Sequence, residues 1–178
     1  MTCKERLEAY LREKGVPYQS QHHARAITAQ EVAAAEHVPG RMFAKTVIVT
    51  PDDEVNMVML VLPAPYHVNP LKASAALGVS EVQLADEERF ADTFPDCEVG
   101  AMPPFGNLYE VPVYVDRALA EDETIVFRSG AHTDTMSVSY EDFEKLVRPT
   151  VAGVADPFGS GGAGYGSRTC TKVRDEER

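Results

Sequence analysis

The sequence predicts an α+β protein, a single domain with a mixed, curved central β-sheet surrounded by helices. Its 178 residues, 44% of them hydrophobic, are enough for one sizeable core. Residues 57–62 are almost entirely apolar, which is typical of a central strand covered on both faces. Thr2 with Glu5, and Thr28 with Glu31, have the spacing of capping boxes and so mark the starts of two helices. Helices mixed with several short strands favour the α+β class.

Turn residues and periodicity predict the remaining elements in order. Helices are expected from Thr2 to Gly15, from Thr28 to Pro39, over 69–78, over 86–94 and over 140–147. Strands are expected over 42–50, 55–62, 82–84, 111–115, 124–127 and 133–139. The last strand alternates polar and apolar residues, which predicts one exposed polar face that could line a cleft. Glycine becomes frequent after residue 150, so the chain divides into a globular domain, 1–149, and a flexible tail, 150–178.

Composition limits the possible partners. The net charge of −11 argues against a broad surface that tracks nucleic-acid phosphates, although Arg25, Arg41 and Lys45 form a small basic group. Such a group could contact one nucleic-acid end but would not hold a duplex. Three cysteines far apart in sequence, without metal-ligand spacing, fit a reducing cytoplasm. Because the sequence has neither an apolar leader nor a membrane-length apolar run, we expect a cytoplasmic location.

Residues 100–107 form the most distinctive segment, with two prolines between Gly100 and Gly106. Proline restricts φ and lacks an N–H donor, while glycine adopts backbone angles closed to other residues. The segment therefore predicts a rigid loop whose remaining N–H groups have no strand partner. These donors are expected at Ala101, Met102, Phe105, Gly106 and Asn107. Such a loop can hold a carbonyl, a carboxylate or a water, or it can be an ordinary connection between strands.

Two further residues are candidates for chemistry. Lys45 lies in the apolar run 43–49, where a desolvated ammonium without a partner costs free energy. It either extends to solvent from the strand or provides a fixed cation that stabilises a developing negative charge. His132 follows a glycine turn at the start of the last strand. It is either a turn residue or part of a pocket.

These three segments, in this order, resemble the YbaK-like aminoacyl-tRNA deacylases, which are related to the editing domain of bacterial prolyl-tRNA synthetases. The resemblance extends from the first helix to Pro149 and includes the entry segment 23–31. It implies a curved mixed sheet and a metal-independent, cofactor-independent hydrolase that removes an amino acid from mischarged tRNA. The implied partner is the tRNA acceptor end, with an aminoacyl-tRNA synthetase as a second, optional partner. No membrane or DNA partner is expected.

The resemblance also implies roles for individual residues. Lys45 would contact the terminal adenosine or phosphate, or stabilise negative charge, and His132 would line the pocket. Gly100, Ala101 and Gly106 would place loop amides at the ester carbonyl, across the cleft from Lys45. The substrate-binding residues would be His23, Arg25, Met102, Pro103, Phe105, Asp134 and Thr135. Ala131 departs from the family pattern, which has a small hydroxyl residue there, and the tRNA ribose hydroxyl would assist the attacking water.

The residues also bear on other kinds of site and on other functions. A metal site at His22, His23 and His37 lacks carboxylates or thiols at ligand spacing, so none is expected. Cys97 has no nearby basic residue in sequence to activate its thiol, so an inert thiol is the preferred interpretation. The alternative to an editing hydrolase is a non-catalytic module that binds an aminoacyl group, a nucleotide or a small acid. A small-molecule esterase is a third possibility.

Overall fold

The computed structural model describes residues 1–23, 39–52 and 56–159. Over these residues the helices are α1 (Cys3–Glu13), α2 (Pro70–Leu77), α3 (Glu87–Thr93), α4 (Arg117–Ala120) and α5 (Tyr140–Val147). The strands are β1 (Gln19–His22), β2 (Phe43–Pro51), β3 (Val58–Pro63), β4 (Tyr66–Val68), β5 (Val82–Leu84), β6 (Val113–Asp116), β7 (Thr124–Arg128), β8 (Asp134–Ser139), β9 (Thr150–Ala152) and β10 (Ala155–Pro157). The predicted helix that begins at Thr28, together with Arg25, His37 and residues 160–178, lies outside the described residues.

Eight of the strands form one mixed sheet, in the order β1-β8-β7-β2-β3-β6-β9 with β5 also paired to β2. The pairs β2/β7, β3/β6 and β6/β9 are parallel, and the others in this sheet are antiparallel. Strands β4 and β10 form a separate antiparallel pair. The predicted α+β class and the mixed, curved sheet are therefore confirmed.

The sheet separates two apolar clusters, one on each face. Every residue of β3 is buried, as expected for a central strand. Met59 and Val61 join the larger cluster, whereas Leu60 and Leu62 join the smaller one, because successive strand side chains point to opposite faces. Helices α1, α3, α4 and α5 contribute to the larger cluster, and α2 contributes to the smaller. No helix of the described residues is long and apolar enough to cross a bilayer.

Local capping accounts for the helix starts that the sequence predicted. Thr2 and Glu5 form the expected capping box, and the Asn69 side chain caps α2 ahead of Pro70 at the first helical position. Asp86 and Ser139 cap α3 and α5 in the same way. Each cap joins groups within about three residues of one another, which is why the sequence alone could predict it.

The predicted tail begins too early. Residues 150–152 pair with β6, and residues 155–157 pair with β4, so the prediction of a flexible segment is wrong for this part of the chain. The Asp116 carboxylate accepts hydrogen bonds from the N–H groups of Val154 and Ala155, at 2.9 and 3.0 Å. The glycine-rich composition after residue 158 hid these short strands.

Candidate functional site

The 100–106 loop is buried except at Gly100, and backbone hydrogen bonds tie it to Glu98 and Gly130. Gly100 has a φ of 80°, and Ala101 through Gly106 are buried. The Ala101 N–H donates to the Glu98 carbonyl at 3.0 Å, and the Ala101 carbonyl accepts from Gly130 N–H at 2.8 Å. The expectation that the Ala101 N–H is unpaired is therefore wrong, because Glu98 satisfies it. The rigidity predicted for this loop does follow from these contacts.

Side chains from two strands also reach the backbone of the loop. The Thr46 hydroxyl donates to the Met102 carbonyl at 3.0 Å, and Arg128 Nη1 donates to the Gly100 carbonyl at 3.2 Å. Gly106 has no room for a side chain, since an added Cβ would lie 2.4 Å from the Val111 carbonyl oxygen. Close backbone contact thus explains the second glycine of the motif.

Phe105 belongs to the core and not to a cleft wall. Its ring is fully buried and lies 5.5 and 5.6 Å from the rings of Phe127 and Phe143. Met102 is buried in the same cluster, and Pro103 is buried beside it. The substrate contacts predicted for Phe105 are overturned by this packing, because a ring with no exposed surface gains its stabilisation from the core. At Met102 it is the backbone carbonyl that receives a polar contact.

His132 lies against the start of the loop. Its backbone N–H donates to Glu98 Oε2 at 2.9 Å, and its Nε2 lies 2.8 Å from the Val99 carbonyl oxygen. Because a carbonyl can only accept, Nε2 carries the proton and a neutral ring presents a lone pair at Nδ1. The ring is therefore fixed in orientation, and the buried Nδ1 is left without a hydrogen-bond partner among the described residues.

Asp134 is occupied by groups of the protein itself. Its carboxylate binds Lys4 Nζ at 2.8 Å, His22 Nδ1 at 3.3 Å and the Thr133 hydroxyl at 2.8 Å. Burial alone would raise the pKa of Asp134, but hydrogen bonds from these three residues hold it below its usual value. The carboxylate thus joins α1, β1 and β8, so its predicted contact with a substrate ammonium is not favoured.

The polar face predicted for β8 is only partly exposed. Thr135 is buried and Ser137 is half-buried, because β8 lies between β1 and β7 in the sheet. Direct contact of Thr135 with a substrate is therefore not favoured either. His23 lies closer to His132, since its backbone N–H donates to the Thr133 carbonyl at 2.9 Å. This hydrogen bond brings His23 beside the turn that carries His132.

Lys45 has an unusual environment. Its Nζ lies 5.0 Å from the centre of the Phe158 ring, and no carboxylate of the described residues lies within ion-pair distance. Removal of the ammonium from water lowers the pKa of Lys45 to about 8. At neutral pH the side chain therefore remains mainly charged, but it loses its proton far more readily than a lysine in solution.

Lys45 and the 100–106 loop do not face each other. Lys45 is paired with Leu62, which joins the smaller cluster, whereas Thr46 is paired with Val61 of the larger cluster. The strand alternation therefore directs Lys45 away from the face on which Thr46 contacts the loop. The expectation that the loop lies opposite Lys45 is wrong for this reason.

Lys45 and Thr46 nevertheless lie in the same part of β2, where one edge of the strand has no partner among the described strands. Strand β2 pairs with β7 only through Phe43 and Ala44, and with β5 only from Val49 onward. Among the described strands, residues 45–47 are therefore paired on the β3 side alone. Lys45 and Thr46 border this gap from opposite faces. The structure thus brings Gly100, Ala101 and His132 together and places Lys45 on the opposite face of β2.

Sequence reasoning missed several polar groups near these sites. Ser129 and Arg128 are buried at the end of β7, next to the turn that leads to His132. The Ser129 hydroxyl is without a hydrogen-bond partner among the described residues. These two residues could have been found in the sequence, because a charged residue at the end of an apolar strand followed by Ser-Gly indicates polar groups at the start of a loop.

On the other face, His67 is buried with both ring nitrogens unpartnered within the described part of the chain. Its ring lies 5.2 Å from that of Phe158, which is itself 54% exposed. The Phe158 ring therefore contacts both the His67 ring and the Lys45 ammonium. Nothing local in the sequence marked Phe158, because it lies in the segment that glycine content assigned to a tail.

The α+β fold of this chain is shared by solved structures, and a family model matches most of its length. The aminoacyl-tRNA editing domain model matches residues 23–146, so the chain belongs to that family. A similar solved structure is the hypothetical protein APE2540, with a TM-score of 0.75, 20% identity, and coverage of 84% of this chain and 99% of that one. Another, described provisionally as a trans-editing enzyme for prolyl tRNA synthetase, has a TM-score of 0.74 and 16% identity, covering 88% and 98%. At these identities the two structures establish the fold alone.

Proposed function

We propose that this chain is a free-standing trans-editing hydrolase that cleaves the ester bond of mischarged aminoacyl-tRNA. Water would attack the ester carbonyl, the bond to the ribose oxygen would break, and the ribose oxygen would take the proton. The products are intact tRNA and a free amino acid. The observation that carries the proposal is the fixed His132 ring, with its Nδ1 unpartnered among the described residues, beside the 100–106 loop. Membership of the editing-domain family supports the substrate class.

His132 would act at the reacting end of the substrate. A neutral imidazole whose Nε2 proton is bound to the Val99 carbonyl can accept a proton or a hydrogen bond at Nδ1. The attacking water or the free ribose hydroxyl would be its partner. The 100–106 loop would position the acyl group, since its backbone is held by Glu98, Thr46 and Arg128.

Lys45 would contact the acceptor end and not the ester oxygen. Its ammonium is directed away from the loop and lies beside Phe158, whose ring is half-exposed. An exposed aromatic ring offers a stacking surface for a terminal adenine, and a cation next to it suits the adjoining phosphate. Of the two roles that the resemblance implied for Lys45, this geometry favours contact with adenosine or phosphate. The substrate would reach both faces beside residues 45–47, where β2 is paired on the β3 side alone among the described strands.

The test is deacylation of a panel of aminoacyl-tRNAs by wild type, His132→Ala and Lys45→Ala. Lys145→Ala is the matched control, because Lys145 is an exposed lysine paired only with Glu141 on α5. We expect turnover on one or a few members, lost in His132→Ala, with a raised KM in Lys45→Ala. Equal turnover by wild type and His132→Ala would reject the assigned role of His132.

One observation favours a second function, a module that binds an aminoacyl group without turnover. The Ala101 N–H, which was expected to bind the ester carbonyl, already donates to the Glu98 carbonyl, so one expected donor for the developing negative charge is occupied. Saturable binding of the tRNA end, with no release of amino acid from any panel member, would establish this alternative.

A further inference from the structure

Two cysteines that are 94 positions apart in sequence meet at the N-terminus of α1. Cys3 Sγ and Cys97 Sγ are 2.8 Å apart, and both cysteines are free thiols. Two thiols in ordinary contact would be well over 3 Å apart, and a disulfide requires about 2.05 Å. Small side-chain movements therefore bring the two sulfurs within bonding distance.

We propose that Cys3 and Cys97 form a reversible redox pair, a modification site separate from the candidate catalytic pocket. Oxidation by a hydroperoxide converts the two thiols into a disulfide that ties α1 to the segment leading into the 100–106 loop. This proposal does not depend on the proposed function.

The surroundings assign different roles to the two sulfurs. The Cys97 thiol donates to Cys3 Sγ, and the Tyr109 hydroxyl lies 3.1 Å from the same Cys3 sulfur. The hydrogen bond from Cys97 is the main factor that lowers the pKa of Cys3, and the same bond raises the pKa of Cys97. Cys3 is therefore the sulfur that loses its proton more readily, and Cys97 is the donor of the pair. A cavity of about 390 Å³ is lined by both residues, of which Cys97 is half-buried and Cys3 is buried.

The reaction balances with one molecule of peroxide. The Cys3 thiolate attacks hydrogen peroxide, which yields a sulfenic acid on Cys3 and a hydroxide that takes up a proton as water. The Cys97 sulfur then attacks the Cys3 sulfur. The S–O bond breaks, the S–S bond forms, and the hydroxyl leaves as a second water with the Cys97 proton. Two thiols are oxidised, one peroxide is reduced to two waters, and an external thiol reverses the change.

A metal site is the main competing interpretation, because Asp96 also lies within 4.8 Å of both sulfurs. Two thiolates bound to one tetrahedral zinc, with bonds of about 2.3 Å, lie roughly 3.8 Å apart. The observed 2.8 Å is much shorter. Asp96 is, moreover, engaged by Arg6 at 3.3 Å and by the Tyr109 hydroxyl at 3.0 Å. These contacts favour a disulfide over a metal centre.

Each cysteine of the pair is linked to the segments that hold His132 and the 100–106 loop. Glu98, which follows Cys97, accepts the N–H groups of Ala101 and His132 and donates its own N–H to Gly130. Cys3 packs against Gly130 so closely that an added Cβ on the glycine would lie 2.5 Å from the Cys3 Cβ. A disulfide here would restrain the segment 97–101 and the turn 130–132 together. We therefore expect slower amide exchange at both in the oxidised protein.

The test starts from the Cys170→Ser protein, in which Cys3 and Cys97 are the only cysteines. Treatment of the folded protein with hydrogen peroxide should remove two hydrogens from its mass, and dithiothreitol should restore them. Digestion should yield one peptide that links Cys3 to Cys97. The Tm should rise by roughly 5 °C or more, because the bond closes a long loop in the unfolded chain.

Cys97→Ser on the same background is the control that should abolish the linkage while leaving the core cysteine in place. If oxygen is added to the sulfurs without a linked peptide, the redox pair is rejected. A stoichiometric zinc ion that is present in purified wild type and lost in Cys97→Ser would also overturn the proposal. In wild type, a linkage to Cys170 in place of Cys3 would do the same.

Discussion

His132 Nε2 lies 2.8 Å from the Val99 carbonyl oxygen, so the imidazole ring is fixed against the backbone that enters the glycine loop. This contact sets the proton on Nε2, and the buried Nδ1 has no hydrogen-bond partner among the described residues. The ring and the loop are thereby held as one unit. Several predictions rest on this arrangement and on its neighbours.

Replacement of His132 by Asn or Ala should lower kcat for deacylation about 100-fold or more, because a positioned proton acceptor contributes roughly 10²–10⁴ in rate. KM should change by only a few fold, since the proposed binding groups are the 100–106 loop, Lys45 and Phe158. Steady-state kinetics on the preferred aminoacyl-tRNA measure both constants, with circular dichroism to verify folding. An unchanged kcat in a folded His132→Ala protein would contradict the role.

Gly100→Ala should impair activity beyond its effect on stability. Gly100 has a φ of 80°, so a side chain there strains the backbone next to Val99, whose carbonyl holds the His132 ring; an added Cβ itself would make only an ordinary contact with that ring, at 3.8 Å. Gly15→Ala is a matched control, because Gly15 has a φ of 68° but nothing within 4 Å of an added Cβ. Both variants should lose about 1–2 kcal/mol of unfolding free energy from the strained backbone. Only Gly100→Ala should lower kcat/KM; an equal loss in Gly15→Ala would show that strain alone is responsible.

Lys45 should make stability depend on alkaline pH. Its pKa is about 8 in the folded protein, below the ordinary value of 10.5 that it regains on unfolding. Between pH 8 and 10.5 the unfolded chain therefore binds more protons at this site, so stability rises with pH in that window. Relative to Lys45→Met, wild type should gain about 1–3 kcal/mol from pH 7.5 to 10 in urea unfolding. Parallel curves for the two proteins would show that the ammonium is well solvated.

Asp116 should prove essential to the strands that follow residue 149. Its carboxylate caps α4 through Ala118 N–H and accepts the N–H groups of Val154 and Ala155. Asp116→Ala leaves buried donors unsatisfied, so it should lose about 2–4 kcal/mol of unfolding free energy. The exposed Asp92→Ala serves as control and should lose little. Faster amide exchange over residues 150–157 in Asp116→Ala would locate the damage, whereas exchange confined to α4 would contradict the second role.

The sequence by itself determined the local features of the fold. The caps at Thr2 and Asn69 and the buried strand β3 could be read directly, because each depends on groups within a few residues or on a simple apolar run. The rigidity of the 100–106 loop followed from its prolines and glycines in the same way. The α+β class followed from the predicted mixture of helices and short strands, and the structure confirms it.

Only the tertiary structure decided which of these segments meet. It paired the Ala101 N–H with Glu98, buried Phe105 in the core and directed Lys45 and Thr46 to opposite faces of β2. It also joined Cys3 to Cys97 and continued the fold to Pro157. These outcomes depend on the path of the whole chain and on the sheet register, where a shift of one residue reverses the face of every side chain. No local pattern contains that information, because the contacting groups lie tens of residues apart.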